Sequence, residues 1–164
     1  MRIHIKLIAL LLLVSFGVSA EIQKTYYDNG KIESETPYKD GKVNGILKFY
    51  DESGKIESET PYKDGKKNGI AKTYYENGQI RNEYTFKNDK GNGIAKGYYE
   101  TGEIKSKSFY KDSMENGITK LYYENGNIHY ETVFKDNMEN GIAKTYYENG
   151  KVKSEVMYKN GVEQ

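Results

Sequence analysis

The stretch from residue 68 to residue 87 decides the fold, and it reads Asn-Gly-Ile-Ala-Lys-Thr-Tyr-Tyr-Glu-Asn-Gly-Gln-Ile-Arg-Asn-Glu-Tyr-Thr-Phe-Lys. Two runs rich in β-branched and aromatic residues flank Asn77-Gly78, and this arrangement is the strongest short-range signal of a β-hairpin. The sequence therefore predicts a hairpin closed by a two-residue type I′ turn at Asn77-Gly78. In that register Lys72 faces Glu83 across the two strands.

The same unit recurs with a period of 24 residues from residue 21 to the end of the chain. A fixed period of this length is the signature of a repeat array. The predicted turn glycines fall one period apart, at Gly30, Gly54, Gly78, Gly102, Gly126 and Gly150. A further Asn-Gly pair recurs in phase with them, at residues 44–45, 68–69, 92–93, 116–117 and 140–141.

A second turn joins one repeat to the next. Asp40-Gly41 and Asp64-Gly65 are good two-residue turns, and their equivalents Asn88-Asp89, Asp112-Ser113 and Asp136-Asn137 are weaker but still turn-prone. The sequence thus predicts an all-β fold: an elongated, twisted antiparallel array of hairpins in a single meandering sheet of roughly twelve strands. Because the two strands of a repeat differ in length, we expect a register drift of about two residues per repeat.

The first 20 residues have a different composition. Arg2 and Lys6 precede an apolar run over residues 7–18, and small residues lead up to a cleavage site between Ala20 and Glu21. This is the pattern of a secretory signal peptide, with an uncleaved anchor as the alternative. Cleavage leaves 144 residues, which is six periods of 24.

We therefore expect a signal peptide over residues 1–20 and a repeat domain over residues 21–164. The expected repeats span approximately residues 21–43, 44–67, 68–91, 92–115, 116–139 and 140–164. The protein is expected to be exported and to be periplasmic, on the cell surface or secreted.

Charge and composition narrow the functional classes. Without the leader the chain has 23 Lys and Arg against 24 Asp and Glu, so no large basic field favours nucleic-acid binding. The sequence contains no cysteine, which excludes disulfides and thiolate metal sites. We predict no cofactor.

Several positions hold one residue type in every repeat. They are an isoleucine column (22, 46, 70, 94, 118, 142), a lysine column (24, 48, 72, 96, 120, 144) and a tyrosine column (Tyr26, Tyr50, Tyr74, Tyr98, Tyr122, Tyr146). Packing common to all repeats accounts for the Ile and Tyr columns. As a functional alternative, the tyrosine column is a partner-binding ladder that stacks on sugar rings, peptides or lipid headgroups.

The hairpin register pairs the lysine column with glutamates. It predicts the pairs Lys24–Glu35, Lys48–Glu59, Lys72–Glu83, Lys120–Glu131 and Lys144–Glu155. Opposite charges facing each other across an antiparallel pair contribute about 0.2–1 kcal/mol each. The exception is the fourth repeat, where Lys96 faces Lys107. That pair is unfavourable unless a neighbouring strand supplies a carboxylate.

No catalytic or metal-binding constellation stands out. His129 is the only histidine after the leader, and its column otherwise holds Glu, Arg and Lys, so we interpret it as a surface variant. Each carboxylate has equivalents in the other repeats, whereas a catalytic pair requires asymmetry. We therefore predict that the protein is not an enzyme.

Residues 62–78, Tyr-Lys-Asp-Gly-Lys-Lys-Asn-Gly-Ile-Ala-Lys-Thr-Tyr-Tyr-Glu-Asn-Gly, resemble a MORN repeat. More closely, they resemble the bacterial MORN-repeat-variant family, whose members are often labelled as antitoxin components of toxin–antitoxin modules. The resemblance covers residues 21–164 and implies stacked hairpins with protein–protein contact as the usual role. MORN proteins have also been linked to membranes and phospholipids. Choline-binding repeats are a rival resemblance, but they depend on tryptophan, which this chain lacks.

Two functions remain open at this point. The first is a non-enzymatic scaffold for protein–protein interaction, such as an antitoxin-like or immunity-like protein that binds a toxin. The second is a cell-surface glycan-binding or membrane-lipid-binding protein that uses the tyrosine column.

Overall fold

The computed structural model describes residues 9–11 and 20–164, and every regular element within them is a β-strand. The predicted signal peptide lies largely outside these residues, and its removal stays a prediction. The strands are β1 (Ala9–Leu11), β2 (Ala20–Tyr26), β3 (Ile32–Lys39), β4 (Lys42–Val43), β5 (Gly45–Tyr50), β6 (Ile56–Lys63), β7 (Lys66–Lys67), β8 (Gly69–Tyr74), β9 (Ile80–Lys87), β10 (Lys90–Tyr98), β11 (Ile104–Lys111), β12 (Met114–Glu115), β13 (Gly117–Tyr122), β14 (Ile128–Lys135), β15 (Met138–Glu139), β16 (Gly141–Tyr146), β17 (Val152–Lys159) and β18 (Val162–Glu163).

All strands belong to one antiparallel sheet in which each hairpin pairs with the next along the chain. This confirms the predicted meander. β1 pairs with β2 and lies outside the first repeat. The predicted cleavage site at Ala20 and Glu21 lies at the start of β2. Within the described parts of the chain, no helix is long and apolar enough to span a bilayer.

The hairpin turn at Asn77-Gly78 differs from the predicted type I′ turn. Gly78 has a φ of 85°, but Asn77 is not among the residues with positive φ. The Gly78 amide donates to the Tyr75 carbonyl at 2.9 Å, and the Tyr75 amide donates to the Gln79 carbonyl at 2.8 Å. This is a three-residue loop in which a type I turn is followed by a left-handed glycine. The predicted position of the turn glycine is therefore confirmed, but the turn type was wrong.

The type I′ geometry occurs instead at the turns between repeats. Asp64 has a φ of 52° and Gly65 has a φ of 82°, and both central residues also have positive φ at Asp112 and Ser113. These turns stack on one another, because the residue in the second turn position donates its amide to a carbonyl 22 residues earlier. Where that residue carries a polar side chain, the side chain also accepts the amide of the same earlier residue. The pairs are Lys67–Asp89, Gly91–Ser113 and Glu115–Asn137.

A bulge after each inter-repeat turn corrects the predicted drift. Tyr62 faces Lys67 as the two-residue turn requires, but further along the strands Glu59 faces Lys72. The second strand has therefore gained two residues, at a point where Gly69 has a φ of 124°. The expected drift of two residues per repeat was wrong. The two extra residues of the bulge cancel it, so equivalent residues of successive repeats lie side by side.

The sheet is one layer thick and has almost no core. Among the described residues the buried apolar side chains are Ala71 and Ala143, and Thr132 is the bulkiest side chain that is fully buried. The accessible surface of 11229 Å² exceeds the roughly 8300 Å² expected for a compact protein of 18.9 kDa. Hydrogen bonds between repeats contribute to stability, as when the Tyr75 hydroxyl donates to the Tyr98 carbonyl at 2.7 Å.

Candidate functional site

One face of the sheet carries a continuous line of charged side chains, which we call the charged row. Because the bulges restore the register, each lysine of the lysine column faces a residue of the neighbouring strand on both sides. The charged row runs Lys24, Glu35, Lys48, Glu59, Lys72, Glu83, Lys96, Lys107, Lys120, Glu131, Lys144, Glu155.

The ion pairs confirm four of the five predicted Lys–Glu pairs. The distances between ammonium and carboxylate are 2.7 Å for Lys24–Glu35, 3.3 Å for Lys48–Glu59 and for Lys120–Glu131, and 2.9 Å for Lys144–Glu155. Lys72 faces Glu83 in the predicted register, but the ion pair of Glu83 is with Lys96 at 3.5 Å. The register was therefore correct in all five hairpins and the ion pair was wrong in one.

The tyrosine column lies on the same face, and four of its hydroxyl groups donate to glutamates of the preceding repeat. They are Tyr50 to Glu35 at 2.9 Å, Tyr74 to Glu59 at 2.8 Å, Tyr98 to Glu83 at 2.9 Å and Tyr146 to Glu131 at 2.5 Å. All six rings of the column are half-buried. These tyrosines therefore support the sheet, and their ring faces are only partly accessible to a partner.

Burial and hydrogen bonding change the pKa values of the tyrosines and glutamates in this network. Burial, followed by the hydrogen bond to the glutamate, raises the pKa of Tyr50 and of Tyr74 to about 12. The Tyr74 hydrogen bond is the largest cause that lowers the pKa of Glu59, and the Lys24 contact does the same for Glu35. The network thus favours charged carboxylates next to neutral tyrosines.

The alternation of charge fails at one place. Lys96, Lys107 and Lys120 face one another on three adjacent strands, β10, β11 and β13. Lys96 forms an ion pair with Glu83, the carboxylate that the neighbouring strand supplies. Lys107 has no such carboxylate, because its neighbour on the other side is Lys120. Among residues 9–11 and 20–164, Lys107 forms no ion pair.

Beside the charged row runs a line of mostly apolar side chains, which we call the apolar row; most are exposed, and Pro37, Pro61 and the polar Thr85 are half-buried. The isoleucine column forms half of it and is 41–57% exposed. Packing within the sheet, as the sequence analysis interpreted this column, therefore accounts for only about half of each side chain, and the other half is open to solvent. The apolar row runs Ile22, Pro37, Ile46, Pro61, Ile70, Thr85, Ile94, Phe109, Ile118, Val133, Ile142, Met157.

The opposite face has a cleft that the sequence did not predict. The residues that line it include Tyr84, Phe86, Tyr110, Gly91 and Gly93, and its volume is about 240 Å³. The position of Tyr84 is filled by Thr, Ser or Val in the other repeats. A cleft of this size accommodates a single side chain or ring, because sites for larger ligands start at about 300 Å³.

The described residues contain no group of three or more histidine, cysteine and acidic side chains that could hold a metal ion. The exposed His129 ring contacts Tyr123, with ring centroids 4.5 Å apart. The predicted turn glycines Gly30, Gly54, Gly78, Gly102, Gly126 and Gly150 all have positive φ, between 80° and 99°.

The six hairpin repeats correspond to repeats of a known protein family. The model of the family described as MORN repeat variant matches six times, over residues 22–40, 43–64, 67–88, 92–112, 115–136 and 139–160. The chain belongs to the MORN repeat variant family. This confirms the six repeats expected from the period, and it identifies the chain as a MORN-repeat scaffold with a role in binding or interaction.

Two further comparisons add little. No curated protein matches this sequence. Among solved structures, a porin-like protein from Bacteroides uniformis is 14% identical, with a TM-score of 0.28, and the match covers 94% of this chain and 91% of the other.

Proposed function

We propose that this chain is an exported, non-enzymatic scaffold that binds a protein partner along the charged and apolar rows. The observation that carries this proposal is the exposure of the isoleucine column, which reaches 57% at Ile118. Single exposed apolar residues are normal on a protein surface, but an apolar strip such as the exposed part of the row from Ile94 to Met157 marks an interaction site.

The composition of this face favours a protein as the partner. Aliphatic side chains in one row lie beside paired charges in the next, and protein interfaces combine an apolar centre with a polar rim in the same way. Each lysine that pairs with a glutamate loses most of its long-range field. A highly charged polymer such as nucleic acid therefore gains little from this face.

The repetition supports a role without catalysis. The carboxylates of the charged row occupy equivalent positions with equivalent partners, as at Glu35, Glu59 and Glu131. Catalytic acid–base pairs need two groups whose environments push their pKa values apart. Glu35, Glu59 and Glu131 instead share the same direction of pKa shift, downward, which suits recognition.

A toxin is the narrower form of the partner in this proposal. Its support is the resemblance to a family whose members are often labelled as antitoxins. The predicted signal peptide further implies that the partner is met outside the cytoplasm.

Crosslinking mass spectrometry on the native exported fraction tests the proposal. We expect a stoichiometric protein partner whose crosslinks map to the face that carries the charged and apolar rows, near Lys72 and Lys96. Changing Ile70, Ile94 and Ile118 to Ser should abolish capture while the sheet still folds, because these side chains are about half exposed and lose only part of their packing. Phe49→Ser with Leu121→Ser is the matched control, since both residues are exposed apolar side chains outside the apolar row. The absence of any stoichiometric partner would overturn the proposal.

The second candidate function is glycan or lipid binding through the tyrosine column. It is favoured by the six rings lying in line on the same face as the apolar row. It predicts retention on peptidoglycan, polysaccharide or liposomes that falls when Tyr74, Tyr98 and Tyr122 become Ala. Retention that survives these changes, or no retention on any of the three supports, would reject it.

A further inference from the structure

We propose that the break in the charged row at Lys107 is a binding site for a carboxylate of the protein partner, presented on an extended segment next to a large apolar side chain. This inference rests on the proposed function and names the chemistry of the partner. The site lies where the charged row loses its alternation, between Lys96 and Lys120.

In the intact pattern a glutamate lies between two lysines and accepts the hydroxyl of a tyrosine 15 residues later. Glu59 is an example: it lies between Lys48 and Lys72 and accepts from Tyr74. At the equivalent place in the fourth repeat stands Lys107. The tyrosine that would donate to this position is Tyr122, and its hydroxyl has no hydrogen-bond partner in the described parts of the chain.

The surroundings of this position suit an incoming anion. Lys96 and Lys120 flank it directly on the two neighbouring strands, and their side chains are 34% and 33% exposed. Each already has one carboxylate, Glu83 or Glu131, so the excess positive charge belongs to Lys107 itself. Like charges that face each other across strands destabilise the sheet, and a carboxylate bound between them removes that repulsion.

The apolar row supplies the second half of the site. Phe109 follows Lys107 by two residues and is the only aromatic residue at its position in the six repeats. It is 42% exposed and faces Ile94, which is 41% exposed, while Ile118 on β13 is 57% exposed. The most hydrophobic part of the apolar row therefore lies beside the unpaired lysine.

The spacing of these two features selects a peptide over a free anion. Residues two apart on a strand lie about 7 Å apart on one face. An extended partner segment has the same spacing between alternate side chains, so it can place a carboxylate over Lys107 and an apolar side chain over Phe109. A free phosphate ion would use Lys107 and leave Phe109 unchanged.

NMR titration with a short peptide tests this site directly. The probe is the capped pentapeptide Gly-Phe-Thr-Glu-Gly, and its partner probe carries Gln in place of Glu. We expect the Glu peptide to shift the resonances of the Phe109 ring, the Tyr122 ring and the Lys107 methylene groups, with a dissociation constant of about 1 mM. The Gln peptide should bind about tenfold more weakly.

Variants of the chain give the sharper result. Lys107→Glu completes the charged row, so it should weaken peptide binding at least about tenfold while the melting temperature rises. Tyr122→Phe removes only the hydroxyl and should weaken binding about threefold. Lys63→Glu makes the same charge change at an exposed position outside the row and should leave binding unchanged.

Three results would overturn the inference: no localised shifts up to about 10 mM peptide, binding that survives Lys107→Glu, or binding of inorganic phosphate or anionic vesicles in place of the peptide. Capture of the native partner separates this inference from the function on which it rests. If wild type and Lys107→Glu capture the partner equally, the scaffold function stands and the carboxylate site is rejected. If wild type captures none, the scaffold function is rejected.

Discussion

The first three repeats and the last three share one backbone and differ in the side chains placed on it. In the first half the charged row alternates without interruption, and proline lies beside the bulge at Pro37 and Pro61. In the second half the row is broken at Lys107, and from Asp89 at the junction of the two halves onward polar side chains replace glycine in the turns between repeats. The backbone therefore sets the positions of the rows, while the residues at each position decide whether a row is complete or open to a partner.

Substitutions of the bulge glycines test whether the bulges of the two halves tolerate a side chain equally. In Gly69→Ala the new Cβ would approach Pro61 Cγ to 2.8 Å at a φ of 124°, and we expect a loss of about 3 kcal/mol in the free energy of unfolding. In Gly117→Ala the nearest atom lies 3.7 Å away, so only the backbone strain of about 1–2 kcal/mol remains. Urea denaturation measures both values. Equal losses would show that the proline contact does not matter.

These bulges are also what the sequence could not predict. The hydrophobic alternation fixes which face a side chain occupies, but a shift of two residues leaves that face unchanged. The pattern around Asn68 and Gly69 therefore fits both registers. A signal was nevertheless present, because the lysine column can form one line across the sheet only if the drift is cancelled.

Other parts of the structure followed from local chemistry. The inter-repeat turns were predictable because Asp-Gly pairs favour the conformation that Asp64 and Gly65 adopt. The cross-strand charge pairs followed from counting outward from Asn77-Gly78, since a bulge beside the turn displaces only the nearest residues. The exposure of the isoleucine column did not follow, because β-branched residues predict a strand and do not indicate whether a second layer covers it.

A single substitution in the first half should reproduce the break that Lys107 makes in the charged row. Glu59→Lys would place three lysines side by side and remove the acceptor of the Tyr74 hydroxyl. We expect a loss of about 2 kcal/mol, from cross-strand repulsion and a lost charge-assisted hydrogen bond. Thermal unfolding measures it. Glu57→Lys, an exposed position two residues away, is the control and should cost far less.

The third prediction concerns acid. Glu35, Glu59 and Glu131 all have lowered pKa values in the folded protein, so their contribution is complete above the unfolded pKa of about 4.3 and is lost as the pH falls through the folded values. We expect the melting temperature to drop by a few degrees between about pH 5 and pH 3. Because two of the three carboxylates lie in the first half, Glu35→Gln with Glu59→Gln should flatten the pH dependence more than Glu131→Gln does. Equal slopes would contradict the assignment.

A single substitution in the second half should restore the alternation of the charged row. Lys107→Glu should stabilise the sheet by about 0.5–1 kcal/mol, because the new carboxylate would face Lys96 and Lys120 and accept from Tyr122. The melting temperature measures this gain, and added salt should reduce it. Lys111→Glu, at an exposed position on the same strand, is the control. A gain of the same size in the control would show that net charge, and not the charged row, is responsible.

The smallest effect concerns the turns, where the halves differ by one side chain. Gly65 bonds to the Val43 carbonyl through its amide alone, whereas Asp89 in the next turn bonds to Lys67 through both its amide and its carboxylate. Gly65→Asp would give the Val43 amide an acceptor at the cost of placing a side chain at a φ of 82°, where the nearest atom to its Cβ is 3.9 Å away. The hydrogen bond and the left-handed strain are each about 1 kcal/mol, so we expect a net change within about 0.5 kcal/mol. Gly65→Ala has the strain without the acceptor and should lose about 1 kcal/mol. If the Asp and Ala variants unfold at the same temperature, the side-chain bond does not offset the strain, and the polar residues at Asp89, Ser113 and Asn137 weaken the turns in which they lie.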